Sequence, residues 1–445
     1  MLCRLGLSVC LFVSIAGAAE VSYQRDIVPV LQRACQGCHQ PNTKSSDLDL
    51  TTFAGLSAGG KRGPSAKPGA PSESLLVKYI NGDAKPRMPL GQPPLPPADV
   101  DLIRRWIAEG AKDDSTASEA RNEAPARYSQ APVITALAYS PDGSTIAVSA
   151  YREILLSPVT GNAPPRRLNG KAERLLSLAF SADGSLLIAG GGTPAQFGEV
   201  QVWDARAGKE LKSVTLTSDT VFGASLSPDS STIAVGAADN TVRILDVKTG
   251  KELHKMGAHE NWVLGTVFSA DGKKVVSVGR DRAAKLTESA TGAFLENVNL
   301  LRGELTAVAR HPKKDIVVIG GEDRIPYVYL MDRPKNMKIA DDTTLIRQLE
   351  RQDGPIFALA WSPDGQYIAV GGASPEVTVY DAESGKRVSA CKGHSAGIYS
   401  LTWSPDSKTV ATGGFDGQVR LYEVTSGKMA REFVPAPLET AGVAR

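Results

Sequence analysis

A turn-forming tetrapeptide, Ser-Pro-Asp-Gly or a degraded form of it, starts at Ser140, Ser181, Ser227, Ser269, His311, Ser362 and Ser404. Successive starts lie 41, 46, 42, 42, 51 and 42 residues apart, so seven units of propeller-blade length follow one another. Alternating apolar residues such as Ile134, Ala136, Leu137 and Tyr139 lead into each turn, where Pro and Asp set the central dihedrals and Gly allows the exit. A second apolar strand follows, as in Thr232-Ile233-Ala234-Val235-Gly236, and a third, as in Thr241 to Asp246. A Thr-Gly-Lys turn at Thr249-Gly250-Lys251 then opens a fourth. Four antiparallel strands cannot bury both faces alone, so the units must stack around an axis. This predicts an all-β seven-bladed propeller over 131–434, with a short tail at 435–445. The last repeat carries its own fourth strand near Arg431 to Val434, so ring closure needs no strand exchanged with the N-terminus. Stretches 192–198 and 333–344 account for the longer intervals and are rim-loop insertions, either partner-binding or neutral.

The chain before the repeats has a different character, and its chemistry is concentrated in Cys35-Gln36-Gly37-Cys38-His39. Two thiols at this spacing can add to the vinyl groups of one porphyrin edge, leaving the adjacent histidine to face the iron as fifth ligand. A structural zinc site needs four ligands, and the remaining cysteine outside the first twenty residues, Cys391, lies in the repeats. A thioredoxin-like dithiol would need a βαβ pattern that the flanks lack. The motif therefore predicts one covalent haem c held by Cys35, Cys38 and His39, which also excludes an internal disulfide framework.

Compartment and charge narrow the reading. Met1 to Glu20 has one basic residue, Arg4, then an apolar run from Leu5 to Ile15 and small residues from Ala16 to Ala19. This pattern predicts a signal peptide over 1–19, cleaved after export to the periplasm or an equivalent space. No later segment approaches a membrane span. With 50 basic and 48 acidic residues and no long run of one sign, neither nucleic acid nor an anionic membrane is the expected partner.

Residues 20–112 read as a small all-α domain, followed by a flexible or loosely helical linker at 113–130. A helix from Asp26 to Ala34 leads into the motif, with Pro29 in its first turn. A second runs from Pro97 to Glu109, with Leu102, Ile103, Trp106 and Ile107 at helical spacing and Trp106 packing in the core. A loop-rich stretch of Gly and Pro separates them. Within 20–112 the one histidine is His39 and the one methionine is Met88, set in Lys85-Pro86-Arg87-Met88-Pro89. Elimination makes Met88 the candidate sixth ligand, against an open or lysine-filled position. Gly55 to Arg62 begins like a phosphate-binding loop, but Arg62 stands where a Ser or Thr must bind magnesium. Lys61 and Arg62 are expected to be solvated, or near a haem propionate.

Several segments together resemble the Planctomycete cytochrome c domain. They are Asp26 to Leu31, Cys35 to His39, Pro68-Gly69 with Ser72, Ser74 and Leu75-Leu76, Arg87-Met88-Pro89, and Ile103 to Ile107 with Gly110. The resemblance implies c-type haem with His39 proximal and Met88 distal, and it supplies no redox partner. One departure is Leu95-Pro96-Pro97, where a Ser or Asp helix cap would be usual. The repeats resemble the WD-repeat family. Trp203-Asp204 is the full signature, replaced elsewhere by Leu245-Asp246, Tyr380-Asp381 and Tyr422-Glu423. The family's structural histidine and aspartate match at His259 with Asp281 and at His394 with Asp416, each pair 22 residues apart. These histidines are expected to be hydrogen-bonded within a blade rather than to bind metal.

The expectation is therefore a multidomain protein, an α-helical c-type cytochrome followed by a WD-repeat propeller, that carries electrons rather than catalyses. The propeller or the haem edge would dock a redox partner protein. One alternative is a redox enzyme with its active site on the propeller, as in certain nitrite reductases and quinoprotein dehydrogenases, which instead use eight blades and a second cofactor. Another is a haem-based sensor or scaffold, which an open sixth position would favour.

Overall fold

A computed structural model describes residues 20–36, 38–39, 45–114, 124–160, 163–257, 259–334 and 342–439. The expected signal peptide, Gly37 of the motif, and parts of the expected linker, fifth-blade insertion and C-terminal tail lie outside the described residues. The chain divides into two compact units, 1–122 and 123–445.

In the first unit Ser22 starts the helical run: its Oγ accepts from Arg25 N and its own N–H donates to Asp26, so two end groups are satisfied reciprocally. A π-helical turn, Tyr23–Ile27, continues into helix α1, Val28–Ala34, with Pro29 in its first turn. Two short helices follow within the stretch expected to be rich in loop. Helix α2 (Phe53–Ala58) is capped by Thr52 Oγ1, which accepts from Gly55 N, and α3 (Leu75–Asn81) stops at Gly82. Helix α4 (Pro97–Ala108) starts after Pro96 with no side-chain cap, and Arg33 of α1 pairs with Asp99 in its first turn at 2.9 Å. Ile27, Leu31, Leu56, Val77, Ile103 and Ile107 close one core. Trp106 is 1% exposed beside Tyr23, and its indole N–H donates to Lys112 O at 3.0 Å.

The second unit is the expected propeller. Among the described residues its strands form seven four-stranded antiparallel sheets, each drawn from one continuous stretch: 137–169, 174–217, 221–256, 263–297, 305–348, 356–391 and 398–433. The second strand of each blade is almost wholly buried, as at Ile146–Ala150 and Val410–Gly414, because neighbouring blades cover both its faces. The serine and aspartate of the repeated turn explain its recurrence. Ser140 Oγ donates to Asp142 at 2.5 Å and accepts from Thr145 N at 3.0 Å, and the same pattern holds at Ser181, Ser227, Ser269, Ser362 and Ser404.

Ring closure keeps each sheet's strands sequential, as expected, and adds a clasp. Tyr128 N donates to Pro437 O at 2.8 Å and Glu439 N to Tyr128 O at 2.9 Å. Tyr128 and Ala436 are buried among Ile134, Leu137 and Ile146 of the first blade and Ala411 and Val419 of the seventh. Residues 128 and 436, expected in linker and tail, thus belong to the propeller core. The insertion at 192–198 is a lengthened hairpin between Leu186–Thr193 and Phe197–Asp204. In the fifth blade Asp342 is ion-paired with Arg302 and accepts from Tyr329 Oη at 2.7 Å, tying down that end of the insertion.

Candidate haem site

The C-terminal end of α1 delivers the motif. Cys35 N donates to Leu31 O at 2.8 Å as the helix ends, and the turn closes through Cys38 N and His39 N, both donating to Cys35 O at 3.2 and 3.1 Å. The return segment is fastened by Ser45 N to Cys38 O and Leu50 N to His39 O, at 3.1 and 2.9 Å. His39 Nδ1 lies 3.0 Å from Ser45 O. A carbonyl can only accept, so Nδ1 carries a hydrogen, and in the neutral ring Nε2 is the nitrogen with the lone pair.

Met88 reaches the same site from another segment. Its backbone N donates to Tyr79 O at the end of α3, 3.0 Å away. The Lys85–Pro86 and Met88–Pro89 peptide bonds are cis.

A cavity of about 660 Å³ is lined by Cys35, Cys38, His39 and Met88 together. Its apolar wall includes Leu48, Leu50, Leu76, Ile80 and Leu95, and Arg33, Lys61 and Arg62 bring positive charge, with Asp99 the acidic counterpart paired to Arg33. The volume lies within the roughly 300–1,000 Å³ of ligand pockets. Burial pushes the Cys35 thiol up to about 11, so at neutral pH it is a neutral thiol rather than a thiolate poised for metal binding or disulfide exchange. A haem c fits this donor set: two cysteines on one turn, a tautomer-fixed imidazole and a thioether share an apolar cavity, with cations to meet carboxylate side chains. All four residues predicted from the sequence as a set meet here. Ser45 leaves no signal in the sequence, because its role is carried by a backbone carbonyl; Arg62 is exposed, as expected, and lines the cavity, with its guanidinium 5.3 Å from the Tyr79 ring centroid.

The blade histidines are held within their blades. His259 Nδ1 lies 2.8 Å from Asp281 and its Nε2 2.8 Å from Ser277 Oγ; His394 faces Asp416 at 3.1 Å and Thr412 Oγ1 at 2.6 Å. Among the described residues no three His, Cys, Asp or Glu side chains gather as a metal site. Cys391 is fully buried in the sixth blade, its thiol pushed up to about 12 chiefly by burial.

Comparison with known proteins falls into the same two parts. Residues 35–90 match the model of the Planctomycete cytochrome C family. Residues 208–246, 250–287, 343–381 and 385–423 match the WD domain, G-beta repeat model. Each of these matches begins at or before the outer strand of one blade and runs through the three inner strands of the next, as in Lys209–Thr217 followed by Val221 to Asp246. An uncharacterized WD repeat-containing protein of Schizosaccharomyces pombe is 39% identical over 79 residues, 18% of this chain and 12% of that protein. The chain thus spans about an eighth of the length of that curated relative.

Proposed function

We propose that this chain, a Planctomycete cytochrome C domain joined to a seven-bladed WD-repeat propeller, is an exported one-electron carrier that holds a single covalent haem c. The observation that carries the reading is the convergence of Cys35, Cys38, His39 and Met88 on one apolar cavity. When bound, the haem supplies an iron centre that cycles between two oxidation states.

The chain's own residues do the rest. Cys35 and Cys38 would anchor a porphyrin edge through thioethers, and the Ser45 carbonyl orients His39, which would offer Nε2 as a ligand. Met88 would supply its thioether as a second protein ligand beside His39, so that no position would remain for oxygen or substrate. Leu48, Leu50, Leu76 and Ile80 exclude water, which reduces the solvent rearrangement that accompanies a change of charge. Export is supported by the composition of residues 1–19. The propeller docks a protein redox partner: its loops carry the exposed aromatics Tyr151, Trp262 and Phe415, the last 60% exposed, and aromatic side chains are favoured at interfaces. Among the described residues no helix is long and apolar enough to cross a membrane.

The test is the absorption spectrum of protein matured in a host that attaches c-type haem, oxidised, reduced and with carbon monoxide. The expected result is covalent, low-spin haem unresponsive to carbon monoxide, with Met88→Ala turning it high-spin and carbon-monoxide-binding while attachment persists. An unchanged iron spectrum in Met88→Ala removes the methionine from the reading, and protein without covalent haem overturns it at the first step.

A further inference from the structure

Residues 59–63, which overlap the stretch 55–62 that begins like a phosphate-binding loop, form a tight hairpin. Gly60 and Gly63 exchange both backbone hydrogen bonds, N to O at 3.3 and 2.9 Å, and Lys61 and Arg62 form its tip. The glycines serve close approach. A Cβ on Gly59 would lie 2.0 Å from Gly63 O, and one on Gly60 would lie 2.5 Å from Ser46 O. Gly59 also sits at φ +72°, in the left-handed region.

This approach joins the hairpin to two different segments. On one side Lys61 N donates to Ser46 O at 2.9 Å, next to the Ser45 carbonyl that holds His39. On the other, Arg62 Nη1 donates to Lys85 O at 3.2 Å, three residues before Met88, while its guanidinium lies over Tyr79, whose carbonyl accepts from Met88 N. Lys61 and Arg62 both line the cavity.

We propose that the hairpin is a strap between the loop that orients His39 and the loop that carries Met88, with Arg62 as the positioning residue for Met88. The inference rests on the reading of Met88 as axial ligand. A planar guanidinium can bond the carbonyl and stack on the ring at once, whereas an ammonium offers only a point charge. Releasing Arg62 therefore leaves the Met88 loop free to swing away, and an exogenous ligand that needs the open form binds more tightly in proportion to the open fraction.

The experiment is imidazole titration of oxidised holoprotein, with the methionine-to-iron charge-transfer band and the reduction potential recorded for wild type, Arg62→Gln, Arg62→Lys and Met88→Ala. Because the Arg62 bond is exposed, its loss predicts roughly three- to tenfold tighter imidazole binding in Arg62→Gln, with a weaker charge-transfer band. Arg62→Lys keeps the charge, so it should restore the potential but not the imidazole affinity. Full rescue of both by lysine would reduce Arg62 to a charge and overturn the strap. Wild-type affinity and band intensity in both Arg62 variants would overturn it too, while leaving Met88 as ligand. A wild-type spectrum indistinguishable from Met88→Ala would instead overturn the ligand reading and the strap together.

Discussion

At the scale of single residues, the two His–Asp pairs look alike in sequence and differ in what depends on them. Asp281 accepts from His259 and from the backbone N of Glu260, and its nearest cation, Lys285, is 3.7 Å away. Asp416 faces His394 and also holds the nearly buried Arg420 guanidinium at 2.6 Å. Removing Asp281 leaves a buried imidazole short of one partner, whereas removing Asp416 also leaves a buried cation whose other carboxylate, Glu432, is half exposed. Asp281→Ala should therefore destabilise the propeller by about 1–3 kcal/mol, and Asp416→Ala by about 3–5 kcal/mol. Denaturant unfolding followed by far-ultraviolet circular dichroism checks the order, and equal losses would refute it. The site was legible at this scale where chemistry fixes local spacing. Two thioethers and a ligand need Cys-x-x-Cys-His in consecutive positions, so the motif declares itself, and Met88 stood out as the single methionine of its domain. Arg62 was not legible, because its partners are a carbonyl 23 residues away and a ring 17 residues away.

At the scale of elements, the repeated turn was readable because its hydrogen bonds close within five residues. Helices α2 and α3 were not, since six or seven residues complete too few turns to establish a period against neighbouring Gly and Pro. The fifth blade replaces the serine and aspartate with His311 and Lys313, and the structure shows the substitute. His311 Nδ1 accepts from both Lys313 N and Lys314 N at 3.0 Å, and its ring stands edge-on to Trp361 at 5.1 Å. Accepting two N–H groups requires Nδ1 unprotonated. Burial, followed by the charges of Lys314, Lys313 and Arg310, holds the imidazole below its ordinary value of 6.5. The unfolded chain thus takes up the proton first: the stability from this turn is complete above pH 6.5 and is lost as pH falls below it. His394, also lowered chiefly by burial, adds to the same slope. The denaturation midpoint should fall between pH 7.5 and 5. His311→Ser with Lys313→Asp, which restores the turn of the other blades, should reduce that fall without abolishing it. An unaltered pH profile in the double variant would show that the turn does not couple to protonation.

At the scale of the whole propeller, a ring of consecutive blades has one junction that no covalent connection crosses, between the seventh and the first. Side chains span it where Leu137 N and Tyr139 N donate to Ser400 Oγ and Thr402 Oγ1, at 2.8 and 3.1 Å. Tyr128 adds more than contact area. Its backbone pairs with the C-terminal segment on both sides, and its hydroxyl donates to Glu153 Oε1 at 2.6 Å, a carboxylate with no exposure at all. Arg167 neutralises Glu153 through two nitrogens, at 2.6 and 2.8 Å, and also donates to the carbonyls of Pro125 and Ala126, so residues 125–128 and the outer strand of the first blade form one polar network. Composition concealed this, because 113–130 shows no apolar period and one buried tyrosine fixes the segment. The ring and the hydroxyl can be separated experimentally. Tyr128→Phe keeps the packing and Arg167 still neutralises Glu153, so only the hydroxyl's bond to the buried carboxylate is lost, which should cost about 1–3 kcal/mol. Tyr128→Ala opens a void among Ile134, Leu137 and Ala436 at the junction and should cost about 3–5 kcal/mol. If closure is the step that the whole ring depends on, the loss in Tyr128→Ala appears as a lower midpoint for one cooperative transition with an unchanged denaturant slope. An early, separate transition in that variant would mean that the first and seventh blades can part while the other five stay folded.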